Sequence, residues 1–454
     1  MTDKNKYHEF NNLVMKKLSG ISKPINLFWF RRDLRIEDNH GLFSALNSGY
    51  PVLLIFIFDT EILGKLKSTK DARVHFIHQT LKDLKMDLEK YNSDLAVFIG
   101  KPAEIFKELI KTFHINALYT NHDYEPYATD RDKKIKELCS ADNIAFRTFK
   151  DQAVFEKGEI LTDSKTPYTI YTPYKNKWMQ YLQAGQLKPF PSQKLLQNSV
   201  QINHLSFPEL DQLGFEKTDI KLPAAKIDTG KIAEYHKYRD IPGIEGTTRM
   251  GLHLRFGTVS IRKLAHIGLE LNETWLSELI WREFFMMILW NFPYVVDGPF
   301  KQKYAGISWK NDDKEFELWC QGRTGYPLVD AGMRELNTTG FMHNRVRMVT
   351  ASFLTKHLLI DWRRGEAYFA EKLLDYELAS NNGNWQWAAG CGCDAAPYFR
   401  IFNPETQLQK FDPDLSYVKK WIPEIGTDKY VTPIVDHKYA RERVLSVYKA
   451  ALDQ

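Results

Sequence analysis

Cysteine is scarce in this sequence, and its few positions exclude two structural classes. Cys139, Cys320, Cys391 and Cys393 are the whole set in 454 residues. They are too few and too irregularly spaced for a disulfide framework, and CGC is neither a CxxC redox motif nor a zinc-binding spacing. The sequence therefore predicts a reduced, cytoplasmic protein without a metal site.

Long apolar runs are also absent. No stretch reaches the length of a membrane-spanning helix, and the first residues, MTDKNKYHEFNNLVMKKLSGISKP, lack the apolar core and cleavage site of a signal peptide. We expect residues 1–23 to form a tail with a fraying helix around Phe10 to Leu18. A monomer is expected, with no membrane partner and no obligate protein partner.

The charges lack a dominant sign. Lysine and arginine number 62 against 57 acidic residues, which gives a net charge of +5 and a pI near 8.7. Such a balance permits a nucleic-acid partner without requiring one. Aromatic residues, by contrast, are plentiful at 13%, with 11 tryptophans. This content favours stacking on a cofactor or a base, although a large helical core also uses it.

Short apolar runs alternate with helical periodicity in the N-terminal third. The runs are INLFWF from Ile25, PVLLIFIF from Pro51, LAVFI from Leu95, ALYT from Ala117 and IAFRTF from Ile144. Strands that alternate with helices predict a doubly wound parallel sheet, Rossmann-like in class, over residues 24–150. The first strand leads into FRRDLR and not GxGxxG, which argues against an NAD site.

Beyond the predicted sheet the character of the sequence changes twice. Residues 151–225 are rich in turn formers and polar side chains, and we interpret them as a connector over the surface. Residues 226–454 show helical patterns punctuated by glycine and proline, and we interpret them as an α-helical domain. The predicted fold class is thus α/β followed by all-α.

The most unusual stretch runs from Leu374 to Pro404 and reads LDYELASNNGNWQWAAGCGCDAAPYFRIFNP. It combines two carboxylates, paired amides at Asn381 and Asn382, and two tryptophans, Trp385 and Trp387. Aromatic surface beside directed polar groups is what a large planar cofactor with a polar edge requires. The alternative is a tryptophan-rich core with polar loop residues.

A helix predicted over LSELIWREFFMMILWNF, from Leu276 to Phe292, is apolar nearly all round yet carries Glu278 and Arg282. With Trp281 and Phe285 they share one helical face. Burial against apolar neighbours would cost several kcal/mol per uncompensated charge, so this face should line a cavity. The alternative is a structural pair between Glu278 and Arg282.

Two further segments carry polar groups in positions suited to ligands. A helix beginning near Phe341 has an apolar stripe (Val346, Val349, Phe353, Leu354 and Leu358), with Asn344, Arg345 and Arg347 at its start. The turn Gly246-Thr-Thr-Arg-Met-Gly251 offers amides and hydroxyls that can cradle a diphosphate. Taken alone, this turn is as readily an ordinary helix cap.

Four long motifs resemble the photolyase/cryptochrome family, most closely the class I cyclobutane pyrimidine dimer photolyases. They are NNGNWQWAAGCGCDAAPYFRIFNP, GRTGYPLVDAGMREL from Gly322, GFMHNRVRMVTASF from Gly340 and SELIWREFF from Ser277. The resemblance extends from Ile25 to about Lys420. It implies light-driven DNA repair, in which reduced FAD donates an electron to a dimer flipped out of UV-damaged DNA.

The resemblance also implies roles for individual residues. The catalytic site would comprise Glu278, Trp281, Asn344, Met348, Asn381 and Trp387. FAD would be bound by Tyr235, Thr247, Thr248, Arg249, Met250, Gly251, Trp275, Glu278, Arg282, Asn344, Arg347, Asp375, Glu377 and Asn381. DNA would be bound by Arg239, Arg282, Arg345 and Arg400, and electrons would hop through Trp385, Trp362 and Trp309.

Some positions bear on the choice between repair and signalling. A cryptochrome photoreceptor without repair activity is the alternative; Asn381, Trp281 and the short segment after Pro423 count against it. A non-repairing flavoprotein or a single-strand-restricted relative is a third option. Gly251 stands where the family usually has serine, and Asn384 where it more often has glycine. The first departure removes one hydroxyl, and the second side chain either crowds the flavin or points outward.

An antenna chromophore in the first domain is implied by the resemblance, but not its identity. The sequence YEPYATDRD places Tyr127 and Ala128 where the folate-binding branch has Asn-Glu. We therefore expect weak or no binding of methenyltetrahydrofolate. A deazaflavin, a second flavin or an empty pocket would take its place.

Overall fold

A computed structural model describes residues 3–453, which form two compact units. The first unit comprises the residues through Val154, together with Gln183–Ala225 and Met250–His266. The second comprises Phe155–Leu182, Lys226–Arg249 and the residues from Ile267 onward. The predicted connector 151–225 is therefore divided between the units, and the segment 250–266 is not part of the helical one.

The first unit contains a five-stranded parallel sheet with the strand order β3-β2-β1-β4-β5. The strands are β1 (Ile25–Phe30), β2 (Val52–Asp59), β3 (Leu95–Gly100), β4 (Ile115–Asn121) and β5 (Ala145–Phe149). Every residue of β1 and β2 is buried. Strands covered on both faces read as continuous apolar runs, which is why the sequence predicts β1 to β4. The edge strand β5 has no buried residue and is predicted from the run IAFRTF. The predicted doubly wound sheet is confirmed.

Helices account for the remaining regular structure. In the first part of the chain they are α1 (Asp3–Leu18), α2 (His40–Leu46), α3 (Thr60–Leu63), α4 (Ala72–Glu89), α5 (Pro102–Thr112), α6 (Pro126–Ala141), α7 (Tyr171–Tyr181), α8 (Thr229–Ala233), α9 (Tyr235–Tyr238), α10 (Gly251–Phe256) and α11 (Ile261–Leu271). They continue with α12 (Glu273–Asn291), α13 (Asp313–Cys320), α14 (Pro327–Thr339), α15 (Asn344–Ser352), α16 (Trp362–Lys372), α17 (Leu378–Ala389), α18 (Pro404–Phe411), α19 (Ser416–Trp421) and α20 (His437–Leu452). Shorter 3₁₀ segments are Ala184–Leu187, Ser192–Asn198, Asp211–Leu213, Pro293–Val296 and Gln302–Tyr304.

A buried set of ion pairs explains why the segment 250–266 belongs to the first unit. Arg262 pairs with Asp151 at 2.8 Å and with Asp38 at 2.9 Å, and Arg35 pairs with Asp151 at 2.7 Å. Burial alone would raise the pKa of Asp151, but Arg35 and Arg262 hold it below its ordinary value. Arg262 therefore ties this segment to Asp38, in the loop after β1, and to Asp151, just after β5. Each buried charge in this set is compensated by a partner of opposite sign.

Glu283 on α12 explains why the segment 155–182 belongs to the second unit. Its Oε2 accepts hydrogen bonds from Trp178 Nε1 at 2.6 Å and from the Phe155 amide at 3.1 Å. Glu283 is only 1% exposed. A buried carboxylate without these donors would be costly, so α7 is a structural part of the helical unit and not a surface connector.

The helical unit is built around α12 and α14 to α17. The predicted apolar stripe is buried, with Val346 and Val349 on α15 and the other three residues just after it. Helix α15 begins at Asn344 because the His343 side chain accepts from the Arg345 amide at 3.2 Å. After Ser352 the helix passes into a π-helical turn, Phe353–His357. Among the described residues no helix has both the length and the apolar character needed to cross a membrane.

The expectation of an N-terminal tail is wrong for the described residues. Helix α1 has Phe10, Val14 and Leu18 buried, and it packs on the edge strand β3. The Asn11 side chain donates to the Ile99 carbonyl at 2.8 Å and accepts from the Ile99 amide at 3.0 Å. One amide side chain thus forms hydrogen bonds with two backbone groups that would otherwise be unpaired at the edge of the sheet.

This arrangement predicts the effect of Asn11→Ala. Two buried backbone groups of Ile99 would lose their partners, so the free energy of unfolding should fall by about 1–3 kcal/mol. The Ile99 amide should also exchange its hydrogen faster. Asn12→Ala is the matched control because Asn12 is exposed on the same helix. Equal protection of Ile99 in both variants would contradict this role of Asn11.

Candidate functional site

The second unit contains a cleft that is partly open to solvent and encloses about 590 Å³, counting that open space. Eight residues singled out from the sequence line it: Asn344, Arg347, Met348, Asp375, Glu377, Asn381, Trp385 and Trp387. The walls are completed by Asn384 and by six residues for which the sequence motifs give no signal: Ala351, Phe369, Leu373, Tyr376, Ser380 and Ala388.

Helical spacing brings one wall of the cleft together. On α17, Asn381, Trp385 and Ala388 recur at intervals of four and three, so they share one face. The helix ends at Ala389, and the next residue, Gly390, has a φ of +86°, the left-handed conformation that glycine adopts without strain. Asn384 is exposed, and its Nδ2 donates to the Ser380 carbonyl of its own helix at 2.8 Å.

Arg347 and Asp375 form the main ion pair of the cleft. Arg347 Nη2 lies 2.9 Å from Asp375 Oδ2, and Arg347 Nε donates to the Met342 carbonyl at 2.7 Å. Asp375 Oδ1 is buried and has no hydrogen-bond partner within the protein. A buried acceptor without a donor is unusual, and it fits a ligand that brings an N–H group to this wall.

Asn381 is oriented by a residue that the sequence analysis missed. Its Nδ2 donates to Glu366 Oε1 at 2.9 Å and to the Glu366 carbonyl at 3.1 Å. Burial raises the pKa of Glu366, an effect that the bond from Asn381 opposes. Because both amide hydrogens are engaged, the Asn381 oxygen is the group available to a ligand.

Arg282 faces the interior of the protein. Its Nη2 lies 2.9 Å from Glu377 Oε1, and the two side chains are 10% and 6% exposed. The pair joins α12 to the start of α17. Such a position is suited to bracing the cleft, and the DNA-binding role of Arg282 stays a prediction. The alternative considered for this helix, a structural pair between Glu278 and Arg282, is not observed, because Glu278 pairs with Arg239 instead.

Glu278 and Trp281 lie on α12 but are not among the residues that line the cleft. Glu278 Oε1 lies 2.6 Å from Arg239 Nη1, and both side chains are partly exposed. Burial raises the pKa of Glu278, and Arg239 opposes that rise. The Trp281 ring stacks on Tyr171, with ring centroids 3.5 Å apart and planes 8° apart.

The remaining predicted FAD residues fall in both units. Tyr235 is buried in the second unit, and Trp275 Nε1 donates to Thr248 Oγ1 at 3.4 Å there. In the same turn, Arg249 has a φ of +53°, which is uncommon for a residue with a side chain. Thr247 lies in this turn as well. Met250 is buried in the first unit, where Gly251 begins α10.

The other predicted DNA-binding arginines are nearer the surface. Arg345 Nη2 pairs with Asp240 at 2.8 Å, and its guanidinium lies over the Phe411 ring at 4.4 Å. Arg400 is exposed and follows Phe399, a ring that is 62% exposed. The Arg345 side chain is 19% exposed, against 10% for that of Arg282.

The three tryptophans of the predicted relay share one hydrophobic core. Trp385 and Trp362 are each 2% exposed, whereas Trp309 is partly exposed at the margin of the same core. Trp385 also lines the cleft, so the set begins at the cleft and ends toward solvent. A fourth tryptophan, Trp319, contacts Trp385 edge-to-face at 6.1 Å.

A parallel α/β unit together with a helical unit that holds an aromatic, polar-edged cleft defines a protein that binds a large planar cofactor. The model for the FAD binding domain of DNA photolyase matches residues 275–428, and the DNA photolyase model matches residues 26–194. Deoxyribodipyrimidine photo-lyases of Halobacterium salinarum and Vibrio cholerae are 35% and 36% identical to this chain. Each alignment covers 94% of this chain, and it covers 99% and 100% of the respective relative.

Solved structures agree with the sequence relatives. The class III photolyase of Agrobacterium tumefaciens superposes with a TM-score of 0.81 at 32% identity, over 95% of this chain and 98% of its own. The archaeal photolyase of Sulfolobus tokodaii with two FAD molecules gives 0.80 at 34% identity, over 94% and 100%. This chain belongs to the DNA photolyase family.

The residues of the cleft fit FAD. Asp375 Oδ1 lacks a donor and Asn381 has a free acceptor oxygen, and both belong to the wall that also contains Trp385. A flavin ring brings N–H donors on one edge and a flat aromatic surface, which match these groups in kind. Arg347 holds Asp375 in place from the side.

Close packing behind Trp385 predicts the effect of Gly365→Ala. A Cβ at Gly365 on α16 would lie 2.1 Å from Trp385 Cη2 and 2.5 Å from Leu354 Cδ2. Glycine-to-alanine changes inside helices ordinarily stabilise by up to about 1 kcal/mol, but here overpacking should lower the free energy of unfolding by about 1–3 kcal/mol. Urea unfolding measures this. Gly298→Ala is the control, since nothing lies within 4 Å of its Cβ; equal stability of both variants would refute the packing argument.

Proposed function

We propose that this protein splits cyclobutane pyrimidine dimers in DNA by a light-dependent reaction that uses reduced FAD. The observation that carries the proposal is that Arg347, Asp375, Asn381, Trp385 and Trp387 line one and the same cleft. Relatives named deoxyribodipyrimidine photo-lyase, similar over nearly the full chain, support it.

The cofactor would be held by the walls of this cleft. Reduced FAD, when bound, supplies a light-absorbing donor of one electron. Asp375 and Asn381 would accept hydrogen bonds from the flavin ring, and Glu366 would keep the Asn381 oxygen turned toward it. Because Asn381 is neutral, it orients the ring without adding a negative charge. Tyr235, Thr247, Thr248 and Trp275 would serve the phosphate end.

The lesion would be recognised outside the duplex, because bases within the stack cannot approach the cleft. Asn344, Met348 and Trp387 line the cleft and would contact the extruded dimer. Trp281 would stack on a base, and Glu278 would accept hydrogen bonds from ring N–H groups. Arg345 and Arg400 would hold phosphates on either side, which makes binding sensitive to salt.

Trp385, Trp362 and Trp309 would carry electrons from the surface to the cleft. Their burial decreases from Trp385 to Trp309 within one core, which suits a relay that ends at solvent. Tryptophan suits the role because its indole is among the more easily oxidised side chains. The relay would restore the reduced cofactor and would not be needed for repair once FAD is reduced.

A second chromophore in the first unit would be a flavin or a deazaflavin in preference to methenyltetrahydrofolate. The structure of the Sulfolobus tokodaii relative with two FAD molecules supports a flavin. Tyr127 stands where the folate-binding branch has asparagine. Its hydroxyl donates a hydrogen bond to Asp59 Oδ2 at 2.6 Å and is thus already engaged within the protein. We further propose that the protein acts as a monomer, without an obligate protein partner.

Light-dependent dimer loss tests the proposed function. Protein with chemically reduced FAD should remove dimers from a dimer-containing duplex under blue or near-UV light and not in the dark. Glu278→Ala should weaken binding of that duplex by about 1–3 kcal/mol, the value of a lost buried hydrogen bond, and should keep its FAD. Absence of dimer loss in light, or equal loss in darkness, would show that the proposal is wrong.

The Arg239–Glu278 pair predicts a pH effect on lesion binding. Burial raises the pKa of Glu278 while Arg239 lowers it, and the neighbouring Asp240 adds a smaller upward shift. Arg239→Gln should therefore raise the pKa of Glu278 further. Since the ionised carboxylate is the acceptor, preference for damaged over undamaged duplex should be lost at a higher pH as the solution is acidified.

Dark binding to both duplexes across a pH series measures this shift. Taking the ratio of the two affinities removes the general loss of phosphate binding that Arg239→Gln also causes. In Glu278→Gln the ratio of the two affinities should not fall as the solution is acidified, whether or not Arg239 is also replaced. An unchanged midpoint in Arg239→Gln would mean that this arginine does not tune Glu278.

A further inference from the structure

Tyr171 is the first residue of α7, and its ring covers one face of Trp281. The centroid distance of 3.5 Å and the interplanar angle of 8° describe full face-to-face contact. Tyr171 is 7% exposed, whereas Trp281 is only partly buried. A buried ring therefore supports a tryptophan that still has surface available to a ligand.

Three attachments hold Tyr171 in this position. Its hydroxyl donates to the Ser277 carbonyl at 2.8 Å, and its backbone amide donates to Asp394 Oδ2 at 3.0 Å. Its ring also meets Phe284 edge-on at 5.8 Å. Ser277 lies one helical turn before Trp281 on α12, so the ring and the hydroxyl of Tyr171 both act on the turn that carries Trp281.

We propose that Tyr171 is a positioning residue that fixes the Trp281 ring as a platform for an extruded base. The inference rests on the proposed function, in which Trp281 stacks on the lesion. A tryptophan free to rotate would have to be ordered when the base arrives, and that ordering weakens binding. The stack with Tyr171 and a second, offset stack with Phe285, at 5.5 Å and 27°, order the ring beforehand.

Discrimination between damaged and undamaged DNA is the property that depends on this platform. Undamaged duplex leaves its bases in the stack and does not use the Trp281 ring, whereas an extruded lesion does. A residue that only filled the core would affect folding, FAD content and both DNA affinities together. A residue that positions Trp281 would affect the damaged duplex alone.

Two substitutions at Tyr171 separate the contribution of its ring from that of its hydroxyl, and a substitution at Tyr174 provides the control. Tyr171→Phe keeps the ring and removes the hydroxyl, while Tyr171→Leu removes the stacking surface. Tyr174→Leu is the matched control because Tyr174 is buried on the same helix and contacts Phe284 at 5.4 Å. Each is measured as FAD-loaded protein, in the dark, for affinity to dimer-containing and undamaged duplex, with FAD content and melting temperature.

We expect Tyr171→Leu to weaken binding of the dimer-containing duplex by about tenfold and to leave undamaged duplex and FAD content unchanged. The affinity of Tyr171→Phe for the dimer-containing duplex should stay within about threefold of that of the parent protein. Tyr174→Leu should lower the melting temperature without changing the ratio of affinities. In a Trp281→Leu background, Tyr171→Leu should cause no additional loss, since it acts through the missing ring.

The inference is overturned if Tyr171→Leu leaves the ratio of affinities unchanged, if it weakens both duplexes equally, or if its effect persists in full without Trp281. These outcomes are distinct from failure of the proposed function. That failure would appear in the parent protein, as an absence of light-dependent dimer loss.

Discussion

A buried ion pair between Arg282 and Glu377 is the interaction on which the arrangement of the site depends. The side chains are 10% and 6% exposed, and removing either partner would leave a buried charge at a cost of about 3–5 kcal/mol. Glu377 also sets the first turn of α17, because its carbonyl accepts from the Asn381 amide at 2.9 Å. The pair thus fixes α12, which carries Trp281, against α17, which carries the wall of the cleft.

The sequence predicted the sheet because strands buried on both faces leave a local signal that needs no partner to be recognised. It did not predict the role of α1, although Phe10, Val14 and Leu18 have helical spacing. What makes that helix part of the fold is the contact between Asn11 and Ile99, residues 88 positions apart. The assignment of 155–182 to the helical unit has the same origin, since Glu283 receives its donors from that distant segment.

The candidate site shows the same division between local and distant information. The residues of α15 and α17 were predicted because each comes from one continuous motif. Glu366, Asp240 and Tyr171 were missed because their sequence neighbourhoods contain no signal for the residues they contact. Asp240, for example, is 105 positions from Arg345. For the same reason the true partner of Arg282 was not identifiable, since helical spacing offered Glu278 while the structure supplies Glu377.

The carboxylates that pair with the arginines predicted to bind DNA differ in exposure. Arg239, Arg282 and Arg345 are all paired, so a phosphate can bind them only by displacing a carboxylate. Asp240 is 43% exposed and can return to water at a cost of about 0–1 kcal/mol, whereas Glu377 is 6% exposed and cannot. Glu278, at 32%, lies between these limits. When a phosphate takes Arg239 away from Glu278, the Glu278 carboxylate loses its partner. Hydrogen-bond donors of a bound lesion would replace that partner, so phosphate binding at Arg239 and base recognition at Glu278 would favour one another.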